Sequence, residues 1–234
     1  LLFDEYQRRE QALHYVPIDI SASMLEESAR TLTTIYPRLQ IDGLATDYWH
    51  GLAALPHAQT RLVLFLGSNL GNFTLAEQEQ LFAQLARTLQ RGDYFLIGLD
   101  LRKPMTVLEP AYNDTAGVTA AFNLNLLHRM NRELAARFDS STFTHLAFYN
   151  TTHHQVEMHL RSTIAQEVMI AALDMQVTFY SGETIHTEIS RKFEPAEVQA
   201  QLAAHGFTPR AQWADERDWF LVSLYQYMGT APTA

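Results

Sequence analysis

The sequence predicts an α/β fold: a doubly wound, mostly parallel sheet interrupted by an inserted α+β lobe. Three observations predict it. Short apolar runs alternate with capped amphipathic segments over the first hundred residues, the order of a parallel sheet with crossover helices. Residues 61–67 (RLVLFLG) are apolar at nearly every position, as strands covered on both faces are. Beyond residue 102 the rhythm changes to alternating, hairpin-like runs, and strand signals return near the end.

Taken in order, residues 1–3 (LLF) read as the middle of a helix. Residues 15–20 (YVPIDI) read as a short strand reaching an acid, Asp19. A helix follows, with Ser23 and Glu26 at capping-box spacing and Leu25, Ala29, Leu32 and Tyr36 on one stripe. Residues 39–45 form a second strand that runs out at Asp47 and Tyr48. After strand 61–67 comes a polar turn, residues 68–72 (SNLGN). Thr74 and Glu77 repeat the capping-box spacing, and Leu81, Phe82, Leu85 and Leu89 make the buried face of the next helix. Residues 94–101 are another buried strand.

Residues 108–134 then read as a turn and a helix, and residues 143–170 as alternating strands. Residues 178–191 read as a hairpin or strand broken at Ser181 and Gly182. Residues 195–205 are a helix stopped by Gly206, and 207–213 and 219–225 are closing strands. The expected division is a core of residues 1–102 and 194–234 with an insertion of residues 103–193.

Composition narrows the class. The 234 residues are 47% apolar and 11% aromatic, ample for a buried core and unlike a disordered chain. A net charge of -9 repels phosphate backbones, so nucleic acid is not an expected partner. The same charge is no obstacle to a zwitterionic amino acid or a cationic sulfonium. There is no cysteine, which excludes disulfides and thiolate zinc sites. No apolar run approaches a membrane span, and no basic-then-apolar leader opens the chain, so the expected location is cytoplasmic. The ten histidines, among them His153, His154, His159 and His186, show no H-E-x-x-H or comparable spacing, and no metal is expected. Walker, G-x-S-x-G and G-x-G-x-x-G motifs are lacking.

In open α/β sheets, ligands bind at the carboxyl ends of the strands. Asp19 stands at such an end. A carboxylate there suits the two hydroxyls of a ribose, and it equally suits a helix cap. Asp47 beside Tyr48 suits an adenine amino group, although alone it reads better as an ordinary loop acid. Residues 67–73 (GSNLGNF) combine glycines, which permit close backbone approach, with uncharged donors and acceptors. Glu188 and Ser190 fall on one side of an extended segment. Such a pair suits a heterocycle with an N–H; from spacing alone an exposed polar face is the simpler account.

Seven runs occur together in one order: residues 15–21 (YVPIDIS), 65–73 (FLGSNLGNF), 98–103 (GLDLRK), 111–125 (AYNDTAGVTAAFNLN), 131–134 (NREL), 156–160 (VEMHL) and 186–192 (HTEISRK). In these runs the chain resembles the L-histidine N-alpha-methyltransferases of ergothioneine biosynthesis, over nearly its whole length. The resemblance implies a class I methyltransferase core with a substrate-binding insertion, S-adenosyl-L-methionine as methyl donor, L-histidine as substrate and hercynine, its trimethylated betaine, as product. By motif match it implies that Asp19 holds the cofactor ribose, and that Asp47 with Tyr48 forms the adenine site. It implies that Gly67, Asn72 and Tyr112 hold the amine and carboxylate of the amino acid. Glu188 and Ser190 would read the imidazole, with Met158 as a wall of the pocket. No catalytic base is assigned, and Tyr112 is expected to orient the substrate.

The sequence departs from the family in one respect. Members carry a glycine-rich loop after the first core strand and a further N-terminal segment, and the chain begins at Leu1, beyond both. The first strand and that loop are therefore expected to be missing, as in a fragment of an active enzyme. Two other readings stay open: methylation of another amino acid such as a tryptophan derivative, and a truncated, non-catalytic binding module.

Overall fold

The computed structural model describes residues 2–9, 12–56 and 60–229. Helix α1 (Leu2–Arg8) bears out the expected opening helix from Leu2, while Leu1 lies outside the described residues. The first expected strand is split into β1 (Leu13–Tyr15) and β2 (Ile18–Asp19), because Pro17 has no N–H to continue a ladder. Helix α2 (Ala22–Ile35) follows. Its cap is Ser21, whose Oγ accepts from the Met24 N–H at 3.4 Å, so Ser23 lies inside the first turn and is not the cap. The second expected strand is also split, into β3 (Leu39–Ile41) and β4 (Leu44–Ala45), and the short helix α3 (Tyr48–Ala53) follows it.

Strand β5 (Leu62–Phe65) leads through the 3-10 turn Asn69–Asn72 into α4 (Leu75–Thr88). The Thr74–Glu77 capping box is present as expected: Thr74 Oγ1 accepts the Glu77 N–H, and Glu77 accepts the Thr74 N–H. Strand β6 (Tyr94–Asp100) is next. The lobe then begins with α5 (Met105–Tyr112) and α6 (Val118–Glu133). Its strands are β7 (Phe143–Asn150), β8 (Gln155–Ser162), β9 (Gln166–Ile170), β10 (Met175–Phe179) and β11 (Thr184–Arg191). Helix α7 (Pro195–Ala204) and strands β12 (Phe207–Ala214) and β13 (Phe220–Tyr227) close the chain.

The α/β character of the core agrees with the sequence reading, but its sheet is not one continuous parallel array among the described residues. Four strands pair in the order β12-β13-β6-β5, and only β5 and β6 run parallel. The short turn between β12 and β13 forces an antiparallel hairpin, since a parallel pair needs a long crossover. β1 pairs with β3 and β2 with β4 as two separate parallel ladders. Beneath the four-stranded sheet, Leu81, Phe82 and Leu85 of α4 pack with Phe95, Ile97, Leu99 and Tyr225 in the main core. Burying a large apolar side chain contributes about 1.5–3 kcal/mol, so this cluster anchors the strands on which the site hangs.

The lobe has its own cores. One gathers Leu127, Phe138, Phe143, Leu160 and Phe179, and a smaller one Leu108, Ala147, Val156 and Met158. Its three-stranded sheet, ordered β11-β8-β7, is antiparallel throughout. The chain enters and leaves the lobe side by side: the Phe193 N–H donates to the Asp100 carbonyl at 2.9 Å, and the Arg102 N–H to the Phe193 carbonyl at 3.1 Å. Helix α5 was not expected, because Pro104 and Pro110 read locally as a turn; buried Leu108 anchors it to the sheet. Among the described residues, no helix is long and apolar enough to cross a membrane.

Candidate active site

The turn after β5 is shaped by two residues in the left-handed region, Gly67 at φ +77° and Ser68 at φ +64°. Glycine adopts that conformation freely, and serine at a cost. The Ser68 Oγ accepts the Asp100 N–H at 3.2 Å, which ties the turn to the carboxyl end of β6. The same turn presses Gly71 onto β11: a Cβ at that position would lie 3.0 Å from the Arg191 carbonyl oxygen and 3.6 Å from Ser190 Oγ. A core loop and a lobe strand therefore meet through a residue with no side chain. Asn72, next in the turn, is exposed.

Around Ser190 lies a polar cluster. The Tyr112 hydroxyl, at the end of α5, donates to Ser190 Oγ at 2.8 Å. The Lys192 ammonium donates to Tyr112 Oη at 2.8 Å and to Ser190 Oγ at 2.9 Å. Lys192 is fully buried and pairs with Asp100 Oδ2 at 2.7 Å, and Lys103 pairs with the other Asp100 oxygen. A buried ammonium without such partners would be prohibitively unstable. Lys192 was not singled out in the sequence reading; it is the last residue of the HTEISRK run, and the only signal was that position. Tyr112 is held from behind, since its carbonyl meets His145 Nε2 at 2.9 Å and Asn113 Nδ2 donates to the Ala147 carbonyl at 3.0 Å.

Glu188 and Ser190 share a face of β11, as the spacing predicted. In the register with β8, Glu188 stands opposite Met158 and Ser190 opposite Val156, both of the smaller lobe core. Burial raises the Glu188 carboxyl above its ordinary range, and the nearby Lys192 charge opposes that shift. The geometry thus brings together Tyr112, Ser190 and Lys192 by hydrogen bonds, with Glu188 and Met158 adjoining along the strands. Asn72 and Gly67 belong to the facing turn.

Of the expected cofactor residues, Asp19 and Tyr48 line a cavity beside β5, and Asp47 does not. The cavity, of about 770 Å³, is lined by Tyr15, Ile18, Asp19, Tyr48, Leu62 and Phe65, among others. Asp19 and Tyr48 share this cavity; Gly67, Asn72, Tyr112, Met158, Glu188 and Ser190 do not line it. The exposed Asp19 carboxylate accepts the Ser21 N–H through Oδ1 at 2.8 Å, so it also braces the start of α2. Asp47 caps α3, accepting the His50 N–H at 2.9 Å and meeting His50 Nδ1 at 2.8 Å. Those bonds, the backbone one first, hold its carboxyl below the usual carboxylate range. The Tyr48 ring meets Phe65 edge-on at 5.4 Å. A carboxylate and an aromatic ring on one cavity of this size fit a nucleoside with ribose hydroxyls and a flat base.

Comparison with known proteins gives the family. A family model described as a histidine-specific, SAM-dependent methyltransferase matches residues 1–227. The chain is 42% identical over 224 residues to a histidine N-alpha-methyltransferase of Mycolicibacterium smegmatis, an alignment covering 96% of this chain and 70% of that protein. It is 39% identical to the corresponding protein of Mycobacterium tuberculosis, with the same coverage. It is 23% identical to an L-tryptophan methyltransferase of Psilocybe serbica, over 90% of this chain and 63% of that one. With a family model matching along almost all of its length and relatives 42% and 39% identical, the chain belongs to the histidine-specific, S-adenosylmethionine-dependent methyltransferases.

Proposed function

We propose that the protein methylates the α-amino group of L-histidine to hercynine, the N,N,N-trimethyl betaine used in ergothioneine biosynthesis, with residues 103–193 as the substrate lobe. The observation that carries this reading is the half-buried Glu188 carboxylate beside Ser190 on one strand face, walled by Met158. A carboxylate and a hydroxyl spaced along a strand suit an imidazole, which offers an N–H to one and a ring nitrogen to the other.

In this reading Tyr112 and Asn72 orient the amine and carboxylate of the amino acid beside Gly67, and Asp19, Asp47 and Tyr48 hold the cofactor. When bound, S-adenosylmethionine supplies a sulfonium methyl, whose carbon–sulfur bond breaks as the amine nitrogen takes the methyl carbon. The protein's part is chiefly alignment, worth several powers of ten when the reacting atoms are held near contact. The amine attacks only without its proton, so each turn releases one proton. The Lys192 ammonium lies beside Tyr112 and Ser190 and disfavours a second positive charge in the cluster.

Selectivity follows from burial. A partly desolvated carboxylate left without its N–H partner costs about 1–3 kcal/mol, which penalises side chains lacking that donor. Glu188→Ala is expected to weaken L-histidine binding about tenfold or more, with S-adenosylhomocysteine binding nearly unchanged in calorimetry. Equal losses for both ligands contradict the assignment.

A further inference from the structure

The face of the β7–β8–β11 sheet opposite Met158 and Glu188 carries a second set of ligating side chains. On β8, Glu157 and His159 alternate with buried Val156, Met158 and Leu160, and so project to the other side. On β11, His186 stands directly across from His159. Strict alternation would put His186 and Glu188 on the same face. The bulge at Thr187 breaks the register between them, so His186 joins His159 while Glu188 joins Met158.

The polar atoms of this set are arranged in two layers. Glu157 Oε1 accepts from Asn150 Nδ2 at 2.9 Å and from Gln155 Nε2 at 2.8 Å. His159 Nδ1 meets Thr184 Oγ1 at 3.2 Å. Each outer atom is thereby held, and the inner atoms, Glu157 Oε2 and His159 Nε2, turn toward each other at 3.4 Å. That distance is long for a hydrogen bond between a ring N–H and a carboxylate. It is also the edge of a tetrahedral coordination shell: ligands about 2.1 Å from one ion, at the tetrahedral angle, stand about 3.4 Å apart. The ligand atoms of Glu157, His159 and His186 all lie within 4.8 Å of one another. The two imidazoles are stacked at 4.5 Å with 8° between planes, and Phe148 covers the far face of His159 at 5.4 Å. Glu157 and His159 are 12% and 13% exposed, while His186 is exposed and has room to turn its ring.

We infer that Glu157, His159 and His186 form a binding site for one divalent transition-metal ion of tetrahedral preference, Zn2+ being representative, with the fourth position open to water. Two imidazoles and one carboxylate suit such an ion, whereas Ca2+ and Mg2+ take oxygen ligands. The held Glu157 Oε1 and His159 Nδ1 are the outer-shell bonds that orient metal ligands. Bound there, the ion clamps β8 to β11 across the bulge. The sequence concealed the site, because Glu157 and His159 show only a two-residue spacing on one strand, and His186 lies 27 and 29 residues further on in a strand whose pairing the sequence does not give.

The test uses the tag-free chain, stripped with a chelator, in buffer without histidine. Titration with Zn2+ in a calorimeter is expected to show one saturable equivalent, and Co2+ to develop the visible absorption of a tetrahedral site. Glu157→Gln and His186→Asn are each expected to weaken Zn2+ binding about tenfold or more, while His153→Gln leaves it unchanged. Zn2+ should raise the melting temperature of the unaltered chain and not that of His186→Asn. No saturable binding, or binding that Glu157→Gln and His186→Asn leave unchanged, overturns the inference and leaves a simple Glu157–His159 pair.

Discussion

Lys192 donates to Tyr112 and Ser190 and pairs with Asp100, all without contact with solvent at its own side chain. Lys192→Met keeps most of the stem and removes the charge. Breaking a buried pair from one side costs about 3–5 kcal/mol, and Lys103, still on Asp100, brings the expected loss to the lower end, about 3 kcal/mol in urea unfolding. Unchanged stability would show that the charge contributes nothing there. Tyr112→Phe removes the hydrogen bond donated to Ser190 and the one accepted from Lys192, and is expected to cost L-histidine affinity about fivefold or more, read by calorimetry. At this scale the sequence was a partial guide. Glu188, Ser190 and Tyr112 stood in recognisable runs, but lysines are almost never fully buried, so Lys192 drew no notice. Asp47 shows the converse, since a residue read for adenine also does the ordinary work of capping α3.

Helix α3 and strand β2, which carry Tyr48 and Asp19, touch through Gly51. A Cβ there would fall 2.5 Å from Ile18 Cγ2. Gly51→Ala gains about 1 kcal/mol of helix propensity, yet overpacking costs about 1–3 kcal/mol. The expected net result is a lower melting temperature, restored by adding Ile18→Ala; a rise in the single variant would mean the contact yields freely. Helix α6 starts on another device. Asp114 accepts the Thr119 and Val118 N–H groups, which lower its pKa to about 2. A lowered carboxyl stabilises the fold above its unfolded value near 3.9, and that contribution fades as pH falls toward about 2. Asp114→Asn should therefore flatten the loss of stability across this acid range in a pH series of unfolding curves. A slope identical to that of the unaltered chain would contradict it. Elements with strong local signals, such as the Thr74–Glu77 box, were legible. Helix α5, which packing of Leu108 holds despite an internal proline, was not, and the break at Pro17 that divides β1 from β2 was passed over although its cause is local.

At the scale of the molecule, the core supplies the Gly67–Asn72 turn and the Asp19–Tyr48 cavity, and the lobe supplies Tyr112, Met158, Glu188 and Ser190. Ordered motifs revealed the family, because motif order survives without knowledge of pairing. The register that puts Glu188 on one face and His186 on the other was hidden, since it depends on a single extra residue in one strand. In the proposed reading, selection for histidine rests on the face that bears Glu188. The most direct measurement offers the protein S-adenosylmethionine with equal L-histidine and L-tryptophan and identifies the products by mass spectrometry. Methyl groups accumulating on the α-nitrogen of histidine, up to the trimethyl product, with tryptophan recovered intact, are the predicted result. Methylated tryptophan at a comparable yield, or histidine recovered unmethylated, would contradict it.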